Sequence, residues 1–380
     1  MNKNLKKNVT IVVTSRCGLG CKYCFESETD QSLNMDFETA KNIVTRELTI
    51  DDGYTDVVLD LFGGEPFRNF TLIKQLFEYV TSRSWPKKYI FFSTTNGIYV
   101  HGEIKEWLKK RKSKYYCGVS LDGTPETHNF NRNNSWNKID VAFFAEAWPD
   151  QPIKMTISPW TVEHLADNVI YLVENYGFEI LGSFALGVKW ETDKVLPLLK
   201  RELEKLVDYY VEHDELPVPS FISYPVGQLA HAKELSAHWC GAGQAQKSYY
   251  VDGTEYPCHI FSPLSNPVEN DAWKKIDFKN DPPKLVLSSA CASCFIRHAC
   301  PSCYGMSFVH GTSIVDKDMS LCRLHQECVR AAARIESLRI LKKHSGEHPM
   351  DLSVEEYDTW AVALQMDQMS DLAHPSVKKM

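Results

Sequence analysis

Three cysteines near the start of the chain, Cys17, Cys21 and Cys24, are spaced for chemistry. They lie in TSRCGLGCKYCFE, with three residues between the first pair and two between the second. Thiolates are the usual ligands of iron–sulfur clusters, and electron-transfer clusters normally close all four corners with cysteine. Three closely spaced thiolates can hold three irons of a 4Fe-4S cluster and leave one open. An open corner points to chemistry at that iron rather than storage of an electron.

The remaining cysteines are also grouped. Of twelve in 380 residues, eight fall between 240 and 328, and Cys117 stands alone in YYCGVS, where it reads as a small buried hydrophobe of a strand. The N-terminal MNKNLKKNVTIVV lacks the apolar region and small-residue cleavage site of a signal peptide, so the expected location is cytoplasmic. Thiols stay reduced there, and clustered thiols then mean metal, with zinc and iron–sulfur as competing occupants. The C-terminal array runs Cys240, Cys258, Cys291, Cys294, Cys300, Cys303, Cys322 and Cys328. Its two C-x2-C pairs fit zinc, but eight cysteines exceed one tetrahedral site and no paired histidine spacing accompanies them.

Other motifs sit at strand ends. Gly63-Gly64-Glu65-Pro66 follows VVLDLF; its glycines allow a close backbone approach, and its carboxylate can accept from an ammonium. Thr95-Asn96-Gly97 ends the next strand pattern. Ser120 to Gly123, SLDG, ends another and continues to His128 and Arg132.

Positioning these motifs requires a regular scaffold. Val9–Thr14, Asp56–Phe62, Tyr89–Thr94, Tyr116–Leu121, Lys154–Ser158 and Ile180–Leu186 read as strands. Amphipathic helices separate them: one behind Asp36 as N-cap, one carrying Leu72, Ile73, Leu76, Phe77 and Val80, and one ended by Gly177. Six such units imply parallel strands with crossover helices, an α/β open partial (β/α)6 barrel. Ligands of such folds bind at the C-terminal strand ends, where the motifs fall. A helix over about 193–214 and the proline-containing LPVPSFISYPVG follow, then a turn-rich region that needs metal to fold. Arg323–Lys343 reads as a helix packing back on the body. The net charge of -7 argues against a general nucleic-acid surface, and no apolar run is long enough for a membrane span.

The C-x3-C-x2-C spacing with Tyr23, the GGEP turn and the SLDG run resemble the radical S-adenosylmethionine (SAM) superfamily. The resemblance implies that Cys17, Cys21 and Cys24 hold a SAM-binding 4Fe-4S cluster. It implies SAM contacts from Tyr23, Gly63, Gly64, Glu65, Pro66, Asn96, Ser120 and Arg132. The second array resembles the SPASM module, with two auxiliary 4Fe-4S clusters. That pattern gives Cys240, Cys258 and Cys303 to the nearer cluster and Cys291, Cys294, Cys300 and Cys322 to the distal one. Cys328 is either a fourth ligand of the nearer cluster or a bystander. The domains so implied are a barrel over 1–215, a connector over 216–237, a SPASM domain with small β elements and a C-terminal helix over 238–345, and a polar tail over 346–380.

Relatives of this kind include peptide maturases and anaerobic sulfatase maturases. The latter carry a catalytic Asp immediately after the cysteine matching Cys258, where this chain has His259, a candidate proton acceptor. The resemblance therefore implies hydrogen abstraction from a ribosomal precursor peptide and an intrapeptide crosslink (thioether, C–C or C–O), with formylglycine formation as the alternative. Its implied partners are the peptide, a reductant such as flavodoxin or ferredoxin, and a possible separate leader-binding protein. Since the first strand begins near residue 9, no N-terminal leader-binding domain is expected.

Overall fold

The six segments read as strands are strands in the computed structural model. It describes residues 5–26, 30, 32–229, 240–266, 271–278, 291, 294–297, 300–301, 303–311, 314, 318–344 and 352–369. β1 (Lys6–Thr14), β2 (Asp56–Gly63), β3 (Lys88–Thr95) and β4 (Tyr115–Val119) pair in parallel, in sequence order. β5 (Ile153–Ile157) and β6 (Ile180–Phe184) pair in parallel with each other. A single parallel bridge, Ser120 to Lys154, joins the two sheets into one arc.

The crossover helices are α1 (Phe37–Thr49), α2 (Phe70–Thr81), α3 (Gly102–Lys109), α4 (Pro125–Asn131), α5 (Val141–Ala147) and α6 (Leu165–Tyr176). Asp36 caps α1 by accepting from the Thr39 N–H, a contact that contributes about 1 kcal/mol. Gly177 ends α6 in the left-handed region, φ 69°, which a side chain would disfavour. Ile43, Val44 and Leu48 of α1, the α2 stripe, and Leu165, Val169 and Leu172 of α6 are buried against the sheet. Each such side chain contributes roughly 1.5–3 kcal/mol by leaving water.

One feature lay outside the sequence reading, and a second is fuller than the weak helical pattern that Val354–Leu364 carries in sequence. β7 (Gln246–Tyr249), inside the cysteine-dense segment, adds to the barrel sheet in parallel beside β1, with Asn8 opposite Gln246 and Ile11 opposite Tyr249. β8 (Glu255–Tyr256) closes a short antiparallel pair with β7. A sheltered ion network locks this junction: Lys7 donates to Glu47 and Asp52, and the Tyr249 hydroxyl donates to Glu47 at 2.6 Å. The second feature is in the tail. After α7 (Thr192–Glu212), α8 (Tyr304–Gly311) and α9 (Met319–Lys343) comes α10 (Val354–Gln368), opened by a Ser353–Glu356 capping box. Val362, Ala363 and Met366 of α10 are buried on α9, which also packs against α7. The tail therefore has an apolar face that its acidic residues obscured in sequence. Among the described residues no helix is long and apolar enough to cross a membrane.

Candidate active site

The three-cysteine loop leaves the C-terminal end of β1 and is gripped from several sides. Gly63 and Gly64, at the end of β2, lie against it. A β-carbon on Gly63 would stand 2.1 Å from the Thr14 carbonyl oxygen, and one on Gly64 2.6 Å from that of Ser15. The Gly64 and Glu65 N–H groups donate to the carbonyls of Thr14 and Arg16 at 3.1 and 2.8 Å. Only glycine permits this approach. The Arg68 guanidinium donates to the Cys17 carbonyl at 3.0 Å, Asn133 donates to the Leu19 carbonyl at 2.9 Å, and the Asn96 amide reaches the Cys17 sulfur at 3.9 Å.

Glu65 faces inward. It is 1 % exposed and accepts from the Thr95 hydroxyl, the Asn96 N–H and the Phe67 N–H. Burial pushes its carboxyl up to about 7 against those donors. Its side chain thus braces the turn, and Pro66 starts the short helical turn that follows.

Tyr23 reaches across the loop to the SLDG turn, its hydroxyl donating to Asp122 Oδ2 at 2.7 Å. Asp122 Oδ1 accepts the Thr156 N–H and lies 3.0 Å from Arg132 Nε. The Arg132 contact is ionic: its N–H is not aimed at the oxygen. Arg132 thus already has an anion, and its guanidinium also lies over the Tyr23 ring. Ser120 is buried beside Thr95, and Gly123 passes so close to Asn168 that a β-carbon would stand 2.2 Å from its Oδ1. His128 lies deeper, bonded to the Ser135 hydroxyl. Cys117 is in the core of β4, as a strand cysteine should be.

Burial raises all three loop thiols, Cys17 to about 11 and Cys24 to about 12. Free, they are protonated at neutral pH; a metal displaces those protons on binding.

The second array falls into two groups. Burial raises the Cys258 thiol, and Cys303 and Cys240 are the thiols that raise it further; Cys303 in turn feels Cys240. Cys294, pushed up to about 12 by burial, feels Cys300, Cys322 and Cys291. Cys291, Cys294, Cys300, Cys303 and Cys322 line one cavity, together with His325. Cys328 is fully buried in the apolar core, where burial first and Glu327 second raise its thiol, and the Tyr224 hydroxyl feels both Cys328 and Cys300. Among the described residues no three His, Cys, Asp or Glu side chains converge as a single metal ion requires. Thiols that hold the corners of a multi-iron cluster stand further apart than zinc ligands.

His259, next to Cys258, packs at a tilt against Phe62 of β2 with ring centres 4.9 Å apart. Burial, then Lys154, pushes its imidazole down to about 4, so it is neutral at pH 7. Four residues near these groups went unremarked as candidates in sequence. Asp122 was visible only as part of SLDG; Lys154, Glu26 and His325 carry no spacing signal. Burial lifts the Glu26 carboxyl to about 8, with Ser265 as its hydroxyl donor.

Known proteins resemble the chain in family and fold. A family model described as a 4Fe-4S single cluster domain matches residues 8–140. The chain is 20% identical to the radical SAM cyclopropyl synthase TigE of Paramaledivibacter caminithermalis, over 85% of this chain and 73% of that protein. It is 29% identical to a cysteine-type anaerobic sulfatase-maturating enzyme of Clostridium perfringens, over 32% of this chain and 34% of that protein. It spans only 39% of another relative, MJ0907 of Methanocaldococcus jannaschii, at 32% identity over 31% of this chain. Among solved structures, anSMEcpe with bound AdoMet superposes with a TM-score of 0.67 at 19% identity, covering 87% of this chain and 99% of that one. Streptococcus suis SuiB bound to its precursor peptide SuiA gives 0.54 at 17% identity, covering 83% and 76%. With its three-cysteine loop at the mouth of a partial barrel, the chain carries a 4Fe-4S single cluster domain match, is similar to radical SAM maturases in sequence, and shares the fold of anSMEcpe and SuiB.

Proposed function

We propose that this protein is a radical SAM peptide maturase that forms an intrapeptide crosslink. The observation that carries the reading is the clamped loop: Cys17, Cys21 and Cys24 are presented at the C-terminal mouth of the barrel, between the Gly63-Gly64 turn, Asn96 and Asp122. Its donor set fits a 4Fe-4S group with one iron left for SAM. Bound there and reduced, that group supplies the electron that splits SAM into methionine and a 5′-deoxyadenosyl radical.

The chain's own residues position the reaction. Gly63 and Gly64 fix the loop, Asn96 donates toward the Cys17 sulfur, and Ser120 and Arg132 border the space beside it. The barrel wall and the C-terminal segment shelter the reacting carbon from water. Crosslinking removes two hydrogens from the peptide: one leaves as an atom on 5′-deoxyadenosine, the other as a proton plus an electron. Cys240, Cys258 and Cys303, with Cys291, Cys294, Cys300 and Cys322, would hold the auxiliary groups that take up that electron. A flavodoxin or ferredoxin would supply the first one.

Formylglycine formation is the second reading, favoured by the match to the sulfatase-maturating enzyme. Against it, His259, a neutral imidazole, stands where the resemblance calls for an acid. The test is anaerobic incubation of reconstituted protein with SAM, dithionite and any short Cys- or aromatic-rich peptide found encoded beside its gene, read by mass spectrometry. Loss of about two hydrogens with a new crosslinked fragment supports the reading; formylglycine in a sulfatase peptide, with no change in the encoded peptide, overturns it.

A further inference from the structure

Successive side chains on a strand point to opposite faces. On β2, Leu59 and Leu61 belong to the apolar core, which puts Asp60 on the other, lumenal face. On β1, Val9 and Ile11 do the same for Asn8 and Thr10. On β7, Lys247 and Tyr249 reach Glu47 of α1, which leaves Gln246 and Ser248 to the lumen. Thr10 is the register partner of both Asp60 and Ser248, and Asn8 is that of Gln246. These five side chains form one polar patch on the barrel wall, across three strands spaced about 4.8 Å apart.

A hydrogen-bond relay runs through the patch. Asn8 Nδ2 donates to Gln246 Oε1 at 2.8 Å, Gln246 Nε2 to the Thr10 hydroxyl at 3.0 Å, and that hydroxyl to Asp60 Oδ2 at 3.2 Å. The relay leaves three oxygens over. Asp60 Oδ1, Asn8 Oδ1 and Ser248 Oγ are all buried, and among the described residues none has a hydrogen-bond partner. Other sheltered carboxylates are better provided: Glu47 has Lys7 and Tyr249, Asp122 has Arg132 and Tyr23, and Glu65 accepts from three donors. Asp60 is 9 % exposed and, among the described residues, has one hydroxyl donor and no cation. Burial pushes its carboxyl up to about 7, with Thr10 and the nearby Asn8 amide opposing. Buried acceptors left without a donor are costly, and the cost is offset when a donor arrives. Three oxygens, one of them a carboxylate's, match a cation with several N–H groups: a primary ammonium carries three.

We infer that Asp60, Asn8 and Ser248 form a site in the barrel lumen for an ammonium-type monocation. Two sources share that chemistry: the lysine side chain or N-terminus of a bound peptide, and a free ammonium or potassium ion. The peptide source rests on the maturase reading above; the free-ion source does not. A peptide amine held there sets which stretch of the peptide faces the clamped loop.

The test uses reconstituted holoenzyme in two arms. In the first, the unfolding midpoint in ammonium or potassium chloride is compared with that in tetramethylammonium chloride at equal ionic strength. In the second, immobilised enzyme is offered nine-residue peptide pools randomised around a central Lys or a central norleucine. Wild type should either gain about 2 °C from the small cation or retain the Lys pool at least tenfold better. Asp60→Asn, which keeps an acceptor for Thr10, should abolish that response, and Ser248→Ala should weaken it severalfold. Response in the first arm assigns the site to a free ion, in the second to a peptide amine, and in both to one site that the two share. No response in either arm of the wild type, the result for a site filled by water only, overturns the inference, as does an unchanged response in Asp60→Asn. Iron content shows whether Asp60→Asn is folded, with Ser248→Ala as the deciding variant if it is not. Crosslink formation by the wild type is read separately by mass spectrometry, so either idea can fail without the other.

Discussion

The Tyr23 hydroxyl donates to Asp122 Oδ2 at 2.7 Å, joining the three-cysteine loop after β1 to the turn after β4. Asp122 is fully sheltered and is also the anion facing Arg132. Removing it leaves a buried guanidinium uncompensated, which costs about 3–5 kcal/mol. Tyr23→Phe removes one donor and costs about 1–3 kcal/mol. Thermal or denaturant unfolding should therefore rank Asp122→Ala well below Tyr23→Phe, with both below wild type. The reverse order would show that the hydroxyl, and not the charge pair, secures the loop.

The Gly64 site makes a second prediction. A methyl group there would stand 2.6 Å from the Ser15 carbonyl oxygen and 2.9 Å from Cys17 Cβ. Two of the three nearest atoms are backbone and the third is the Cβ fixed to it, so none can swing away, and Gly64→Ala should displace the loop and lose its cluster. Iron analysis should fall by about four irons per chain from about twelve, while the C-terminal irons remain. Full iron content with an unchanged SAM-dependent paramagnetic spectrum would contradict this.

The C-terminal cysteines can be sorted by the same assay. Cys294→Ala should lose iron, because its thiol interacts with Cys300, Cys322 and Cys291. Cys328→Ala should keep all its iron and lose only about 1 kcal/mol of packing, because Cys328 sits in apolar core. Iron loss in Cys328→Ala would make it a ligand after all.

A pH dependence follows from His128. Burial first, and the Arg132 cation second, hold its imidazole down to about 4, below its ordinary value of 6.5. Between these values the unfolded chain binds the proton and the folded chain does not. His128 therefore favours folding fully above about pH 6.5, and that contribution declines as pH falls toward 4. His128→Gln, which keeps a hydrogen-bonding group for Ser135, should show a shallower loss of denaturant midpoint between about pH 7 and pH 5. Parallel profiles for the two proteins would rule out this source of acid sensitivity.

Much of the scaffold was legible because its signals are local. β-branched and aromatic runs marked β1 to β6, Asp36 and Gly177 marked helix ends, and C-x3-C-x2-C marked the loop. What escaped depends on distant partners. QKSY carries no alternation of its own, and β7 exists because β1 offers it an edge. The buried face of α10 shows only against α9, since Val362, Ala363 and Met366 are interspersed with polar residues. Glu65 reads in sequence as an acceptor for a ligand ammonium; that Thr95, Asn96 and Phe67 also donate to it shows only in the fold.

The most direct measurement is product formation from SAM by anaerobically reconstituted protein with dithionite and no peptide. The protein should release 5′-deoxyadenosine, and Cys24→Ala should release none while retaining the iron of its C-terminal groups. Iron-loaded wild type that leaves SAM intact, or a Cys24→Ala variant that still cleaves it, would contradict the assignment of SAM chemistry to this loop.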